Sequence, residues 1–289
     1  MNLTLCIAAH FMNGQAVFTG MILVLFSMLM LLRTKKQRMR SALNILVVLG
    51  AIFVLASATP WPYWWYGLWL LLLIGSMIKY AMFRYICSVL LLLFSIGMMA
   101  YELSYHISPR ISTAGISRIY VIGDSLASGA EPKGKNWPEI IGDVSGIPVV
   151  SLSFPGATTK TILKNTDKIQ DESSIVLLEI GGNDLLAGNP TFYEDLDRLM
   201  GLVAAPNRHL VMVELPLPPS FNRYGMVQRA LAKKYDATLI PKKHLASVLS
   251  TKGATEDGLH LSISGHKYLA EHILGLLDLS AGKAKETTS

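Results

Sequence analysis

Acidic residues are almost missing from the first third of this 289-residue chain: up to Arg110 there are eight Lys/Arg but only Glu102 as an acid. From Ile111 onward the balance is even, with eighteen Lys/Arg and nineteen acids. The net charge of +6 therefore belongs wholly to the first part, and no basic stripe marks the rest. That excludes a nucleic-acid reading of the charge. Cysteine is nearly absent too. Cys6 and Cys87 both lie in the first part, so the remainder has no disulfide and no thiolate metal site. His, Asp and Glu nowhere cluster at metal-ligand spacing, and Gly-x-x-x-x-Gly-Lys-Ser/Thr does not occur. No metal, nucleotide or other cofactor is expected. There is no internal repeat.

What the first part has instead is apolar length. Four segments stand out, roughly Ala16–Leu32, Ala42–Thr59, Trp64–Ile78 and Ile86–Leu103, the third being the shortest. Each approaches the ~17–25 residues of a spanning helix, so about four transmembrane helices are expected. Pro60 and Pro62 mark a turn crowded by Trp61, Tyr63, Trp64, Trp65 and Tyr66, the pattern of an aromatic belt at a lipid–water interface. A catalytic or sugar-stacking aromatic cluster is the less economical reading. Arg33, Lys35, Lys36, Arg38 and Arg40 fill one loop, and Lys79 and Arg84 another. Both loops should face the cytoplasm. The tail before residue 16 is uncharged and can cross. Positive charge follows the first apolar run rather than preceding it, which argues against a cleaved signal peptide. Four crossings bring the chain out after Leu103, towards the periplasm or cell exterior; three would leave the following domain in the cytoplasm. A multi-pass protein of the bacterial inner membrane is the expectation. Because no carboxylate precedes Glu102, the helices read as an anchor rather than a transporter.

The expected organisation is an anchor over residues 1–107, a linker at 108–117, a soluble domain over 118–279 and a polar, disordered tail at 280–289. In the soluble part apolar strands alternate with helices. Strands are predicted at Ile119–Ile122, Val149–Ser153, Ile175–Ile180, Leu210–Glu214 and Ala237–Ile240. Helices are predicted at Trp137–Val144 behind Asn136, then at Lys160–Ile169, Phe192–Ala204, Val227–Tyr235 and Ser264–Leu277. That alternation predicts an α/β domain with a parallel sheet and helices on both faces. Ligand chemistry in such sheets sits at the carboxyl ends of the strands.

Polar clusters fall at those ends. Gly123-Asp124-Ser125-Leu126 closes the first strand, a strand–turn–helix setting that exposes a serine as a nucleophile. Ser153-Phe154-Pro155-Gly156 follows the second strand and Gly181-Gly182-Asn183-Asp184 the third; Asp257-Gly258-Leu259-His260 precedes the last helix. Taken alone, Ser125 reads equally well as a helix cap. Asp124 and Asp184 read as structural residues of their turns, His266 and His272 as packing or surface residues, and His209 and His244 have no motif around them.

The four blocks in this order resemble the SGNH hydrolases, also called the GDSL esterase/lipase family, over about 160 residues from Ile119 to Leu277. Val176–Asp184, Trp137-Pro138 and Glu214–Pro218 are most similar to the bacterial thioesterase/lysophospholipase group, which lacks the apolar N-terminal part. The resemblance implies a flavodoxin-like three-layer sandwich. It implies Ser125 as nucleophile, His260 as base and Asp257 as the group orienting it. It implies an oxyanion hole from the backbone N–H groups of Ser125 and Gly156 and the side-chain amide of Asn183. The expected activity is hydrolysis of carboxylic or thio esters: lysophospholipid, acyl thioester or short-chain esters, with the anchor holding the site near membrane lipid. The alternative is an O-acetyl esterase or acetyltransferase on cell-surface glycans. A scaffold with a vestigial site is disfavoured by the intact residue set. Pro216–Phe221 reads as a rigid loop or as an apolar lip for an acyl chain.

Overall fold

The computed structural model describes residues 3–129 and 134–279; the tail expected at 280–289 lies outside them. The chain divides into two compact units. One holds Ile7–Ile107 with Pro216–Arg223; the other holds the described residues of Ser108–Leu215 and from Tyr224 on, with Leu3–Cys6.

The apolar unit is built on the second half of helix α1 (Leu3–Met12) and on helices α2 (Gln15–Arg33), α3 (Gln37–Ala56), α4 (Tyr63–Gly75) and α5 (Ala81–Ser104). Helix α1 occupies what reads in the sequence as an uncharged tail. Helices α2, α3 and α5 are long and apolar enough to cross a membrane. Helix α4 has 13 residues, about 20 Å at 1.5 Å per residue, short of the ~30 Å hydrocarbon core. Only three of the four expected segments are therefore full-length spans. The reason is the stretch before α4, where Ser57–Pro62 runs non-helically through Pro60 and Pro62.

That stretch is buried, with Ser57, Thr59 and Trp61 all at 0% exposure. Backbone without helical bonds survives at such depth only when protein groups satisfy it. Here Ser57 Oγ accepts from the Val17 N–H at the start of α2 (3.2 Å) and from Thr59 Oγ1 (3.0 Å). The Thr59 carbonyl accepts from Tyr66 Oη (2.5 Å). Trp61 Nε1 donates to buried Glu102 (3.1 Å), and Trp69 Nε1 to Ser95 (2.9 Å). The aromatic turn is thus divided. Tyr63 and Trp64 are exposed, whereas Trp61 and Tyr66 pack inside. Tyr63 Oη donates to the carbonyls of Pro219 (3.2 Å) and Ser220 (3.1 Å), and Asn222 Nδ2 donates to Tyr66 Oη (3.2 Å).

Helices α2 and α3 meet backbone to backbone. A Cβ on Gly20 would stand 2.5 Å from the Gly50 carbonyl, and one on Gly50 would stand 2.7 Å from the Gly20 carbonyl. Small residues at both positions allow that approach. At one end of the unit a cleft of about 340 Å³ is lined from both cationic loops, by Lys35 and Arg40 and by Ser76 and Arg84.

The other unit is α/β. Strands β1 (Ile111–Ser112) and β7 (Leu277–Asp278) form a small parallel pair. The central sheet contains β2 (Arg118–Gly123), β3 (Val149–Ser151), β4 (Ser174–Glu179), β5 (Arg208–Val213) and β6 (Thr238–Ile240). All its pairings are parallel, in the order β3-β2-β4-β5-β6. Counted within the sheet this is 2-1-3-4-5, the flavodoxin-like order, whose switch point lies between the first and third strands. Both strands there, β2 and β4, are almost wholly buried, which explains their unbroken apolar runs.

The helices are α6 (Ser125–Ser128), α7 (Trp137–Ser145), α8 (Thr159–Ile162), α9 (Gly182–Leu186), α10 (Phe192–Val203), α11 (Asn222–Lys234), α12 (Lys243–Leu249) and α13 (Ile263–Leu274). Asn136 and Glu139 form a reciprocal capping box at α7. The helix expected over 160–169 splits into α8 and a 3₁₀ stretch, Leu163–Lys168. Helix α12 is not foreseen from the sequence, being only 7 residues long.

Candidate active site

Ser125 opens α6 directly beyond β2, and Asp124 caps that helix by accepting the Leu126 N–H at 2.9 Å. The turn is tight. A Cβ on Gly123 would stand 2.5 Å from that of Ala127, so glycine is required where strand passes into helix. Trp137, fully buried, supports the turn from α7 by donating Nε1–H to the Leu126 carbonyl at 2.9 Å.

Asn183 stands in the first turn of α9, behind Gly181, whose φ of +120° favours glycine. Its Nδ2 donates to the Ala157 carbonyl (3.0 Å) and to Asp124 (3.3 Å). One amide thus ties the loops after β2, β3 and β4 together. Gly156 has φ +76° and open space where a Cβ would stand, so its backbone is accessible to a ligand. Asp184 is a pin rather than a second reactive acid. Fully buried, it accepts from Thr159 N (2.9 Å), Thr159 Oγ1 (2.7 Å) and Asn189 Nδ2 (2.8 Å).

Asp257 and His260 sit on the loop before α13, closed at its base by a bridge between Thr255 and Leu261. Asp257 Oδ2 pairs with His260 Nδ1 at 2.6 Å, while Oδ1 accepts the N–H groups of Leu259 (2.9 Å) and His260 (2.8 Å). The bond to the His260 ring, followed by those two amides, holds the Asp257 carboxyl well below the usual carboxylate range. With Nδ1 engaged, Nε2 is the ring nitrogen left to take up a proton. No hydrogen bond joins Ser125 Oγ to His260 among the described residues. A resting hydrolase often holds that bond long until substrate arrives.

Two carboxyls beneath the serine turn went unassigned a chemical role in the sequence. Glu179, opposite Gly123 in the β2–β4 register, is fully buried. Burial, reinforced by the nearby Asp124 carboxyl, raises its pKa well above the ordinary value. Asp124 is also raised, chiefly by burial and further by Asp184, with the Leu126 N–H and His260 opposing. The available signal for Glu179 was an acid ending an otherwise apolar strand, Ile175–Leu178. The described residues contain no group of three His, Cys, Asp or Glu able to hold a metal ion.

A parallel sheet of flavodoxin-like order with a serine and an amide beyond its strand ends, and an Asp–His pair on the loop before α13, defines a protein of the SGNH hydrolase fold. The sequence profile of the GDSL-like lipase/acylhydrolase family matches residues 121–268, just over half of the chain. The chain belongs to that family and is a hydrolase acting on esters. No curated protein matches it in sequence. Similar solved structures include a protein named TesA, at 22% identity and a TM-score of 0.49, covering 55% of this chain and 97% of the other. The psychrotrophic esterase EstA from Pseudoalteromonas sp., solved with monoethylphosphonate, shows 21% identity and a TM-score of 0.49, covering 55% and 95%. A G-D-S-L family protein from Desulfitobacterium hafniense shows 18% identity and a TM-score of 0.48, covering 56% and 99%.

Proposed function

We propose that the protein is a membrane-anchored serine esterase. Residues 1–107 are the anchor, 108–117 a linker and 118–279 the hydrolase domain. Ser125 attacks the acyl carbon. His260 Nε2 takes the serine proton and returns it to the leaving group, and Asp257 holds the ring. The tetrahedral oxyanion is met by the N–H groups of Ser125 and Gly156 and by the Asn183 amide. For that amide to donate, the longer of its two bonds, the 3.3 Å contact with Asp124, must yield. The observation that carries this reading is the 2.6 Å Asp257–His260 pair, in the same unit as a serine on a β2–α6 turn.

The proposed topology has four crossings, with the hydrolase domain facing the periplasm or exterior. Its support is the cleft lined from both cationic loops. If both loops lie at one end, α4 returns the chain to the side from which α3 left, its short helix extended by the buried Ser57–Pro62 stretch. The proposed substrates are lipid-like or short-acyl esters or thioesters.

Purified protein assayed on nitrophenyl esters from acetate to palmitate, with Ser125→Ala as control, tests the chemistry. Activity abolished by Ser125→Ala is expected. Equal slow hydrolysis by both proteins would refute the esterase mechanism. Preference for long chains supports a lipid substrate, whereas a sharp acetate preference moves the reading to O-acetyl groups of surface glycans. A reporter fused after Ser289 tests topology, and cytoplasmic reporter activity would overturn the outward-facing arrangement.

A further inference from the structure

The cationic end of the apolar unit carries charge that no acid among the described residues neutralises. The cleft there is lined by Lys35, Arg40 and Arg84, by the polar groups of Thr34, Asn44 and Ser76, and by apolar side chains including Met28 and Leu31. No acid lines it. The first acidic residue in the sequence is Glu102, eighteen residues along α5 from Arg84 and so about 27 Å away at 1.5 Å per residue. Lys35 and Arg84 make no side-chain hydrogen bond or ion pair among the described residues. Arg40 spends its guanidinium on two carbonyls, Leu31 (3.4 Å) and Thr34 (3.3 Å).

Helix polarity sharpens the imbalance. Arg40 and Arg84 are each the fourth residue of their helix, α3 and α5. Both helices begin with no acid in the first turn and no side-chain cap. Helix N-termini carry partial positive charge and favour anions, so two arginines there are unfavourable until an anion joins them. A cleft lined by three cations and also by Met28 and Leu31 fits an anion attached to an acyl chain. Basic pockets between transmembrane helices take the headgroups of anionic lipids on this basis.

We infer that this cleft binds the phosphate headgroup of an anionic phospholipid, with Lys35, Arg40 and Arg84 as its ligands and the acyl chains lying along the apolar wall. The inference rests on the membrane-spanning part of the proposed function and is independent of the esterase chemistry. A free phosphate ion offers the same anionic oxygens, so the experiment separates the two sources.

Full-length protein in detergent, shown first to be released from membranes only by detergent, is titrated with phosphatidylglycerol or phosphatidylcholine and followed by native mass spectrometry. Phosphatidylglycerol adducts are expected at a concentration at least tenfold lower than phosphatidylcholine adducts. The R40Q/R84Q variant should lose that preference, as should R84Q alone, in large part, without disturbing the Arg40 carbonyl bonds. R40K/R84K should retain most of it. K36Q/R38Q removes the same charge outside the cleft and should leave the preference intact. Equal binding of the two lipids by the wild type overturns the inference. So does a loss in K36Q/R38Q as large as in R40Q/R84Q, which would indicate diffuse attraction. Displacement of phosphatidylglycerol by millimolar inorganic phosphate overturns the lipid assignment in favour of a phosphate-ion site.

Discussion

Replacing Gly265 by alanine should misplace the Asp257–His260 pair without touching it. Gly265 is the third residue of α13, and its N–H is accepted by the capping Ser262 Oγ at 3.2 Å. A Cβ there would stand 1.9 Å from the Ala254 carbonyl oxygen and 2.9 Å from its carbon. Ordinary contact begins near 3.4 Å, so the two backbones must part by about 1.5 Å. Neither can yield as a flexible side chain would. Ala254 is fully buried, and its carbonyl also accepts the Ser262 N–H at 2.9 Å. Ala254 directly precedes Thr255, which bridges Leu261 at the base of the loop that carries Asp257 and His260. A displacement of about 1 Å in a reacting group costs on the order of 10²-fold in rate, or about 2.7 kcal/mol of barrier. The overpacking itself should cost about 1–3 kcal/mol of stability. The assay is kcat/KM on a short nitrophenyl ester, at a temperature where circular dichroism shows the variant folded. Gly275→Ala is the control. It lies just beyond the other end of α13, where a Cβ would meet carbonyls at 3.4 and 3.6 Å, and should change stability by less than about 0.5 kcal/mol. Wild-type kcat/KM and an unchanged melting midpoint for Gly265→Ala would refute the reasoning.

Asn183→Ala should lower kcat by about 10²–10³ with little change in KM, the signature of a lost oxyanion donor. A raised KM with kcat intact would reduce Asn183 to a tie between loops. Glu214→Gln should cost about 3–5 kcal/mol. Glu214 is fully buried, 2.7 Å from Arg229 Nε and 3.7 Å from Lys242 Nζ, and its loss leaves two buried cations short of their shared partner. A denaturation midpoint that does not move would remove that ion cluster as a determinant of stability. Stability should also fall between about pH 6.5 and 4. Burial first, then His272 and Lys243, push His244 down to about 4, and burial lowers His272 and His266 as well. The unfolded chain therefore binds protons that the folded chain refuses, and the loss begins below the unfolded value of about 6.5. For His244 the gap corresponds to about 3.4 kcal/mol, discounted to roughly 1–2 kcal/mol because the ring is partly exposed to solvent. The raised carboxyls of Asp124 and Glu179 act in the opposite direction, so the measurement is a comparison with His244→Asn. An identical pH slope in that variant removes His244 from the account.

The centre of the sheet was legible in the sequence because β2 and β4 are buried on both faces. Val176–Leu178 has nowhere to place a polar residue, so the pattern is hard to miss. The serine turn was legible for a different reason, since Gly123 and Gly181 are forced by contact and by backbone angle. Short elements were not legible. Helix α12 has two turns, and β1 and β7 pair residues more than 160 positions apart. In the apolar unit, hydropathy alone registered Trp61 and Tyr66 as belt residues. Their inward place depends on Glu102 and Thr59, partners that periodicity does not reveal. Gly265 carried no signal because its constraint comes from a carbonyl eleven residues away in sequence. Lys35, Arg40 and Arg84 were legible as charge, but their convergence on one cleft was not.

The hold of Tyr63 and Tyr66 on Pro219, Ser220 and Asn222 bears on how this enzyme can be taken apart. One eight-residue segment from the second half of the sequence, Pro216–Arg223, belongs to the apolar unit. Excising residues 1–107 would strip two carbonyls and one amide of their tyrosine partners and uncover Asn222, now 1% exposed. A fragment starting at residue 108 would therefore carry Pro216–Arg223, just beyond β5, without its tyrosine partners, and polar substitutions in that segment would be the first step in making the fragment soluble.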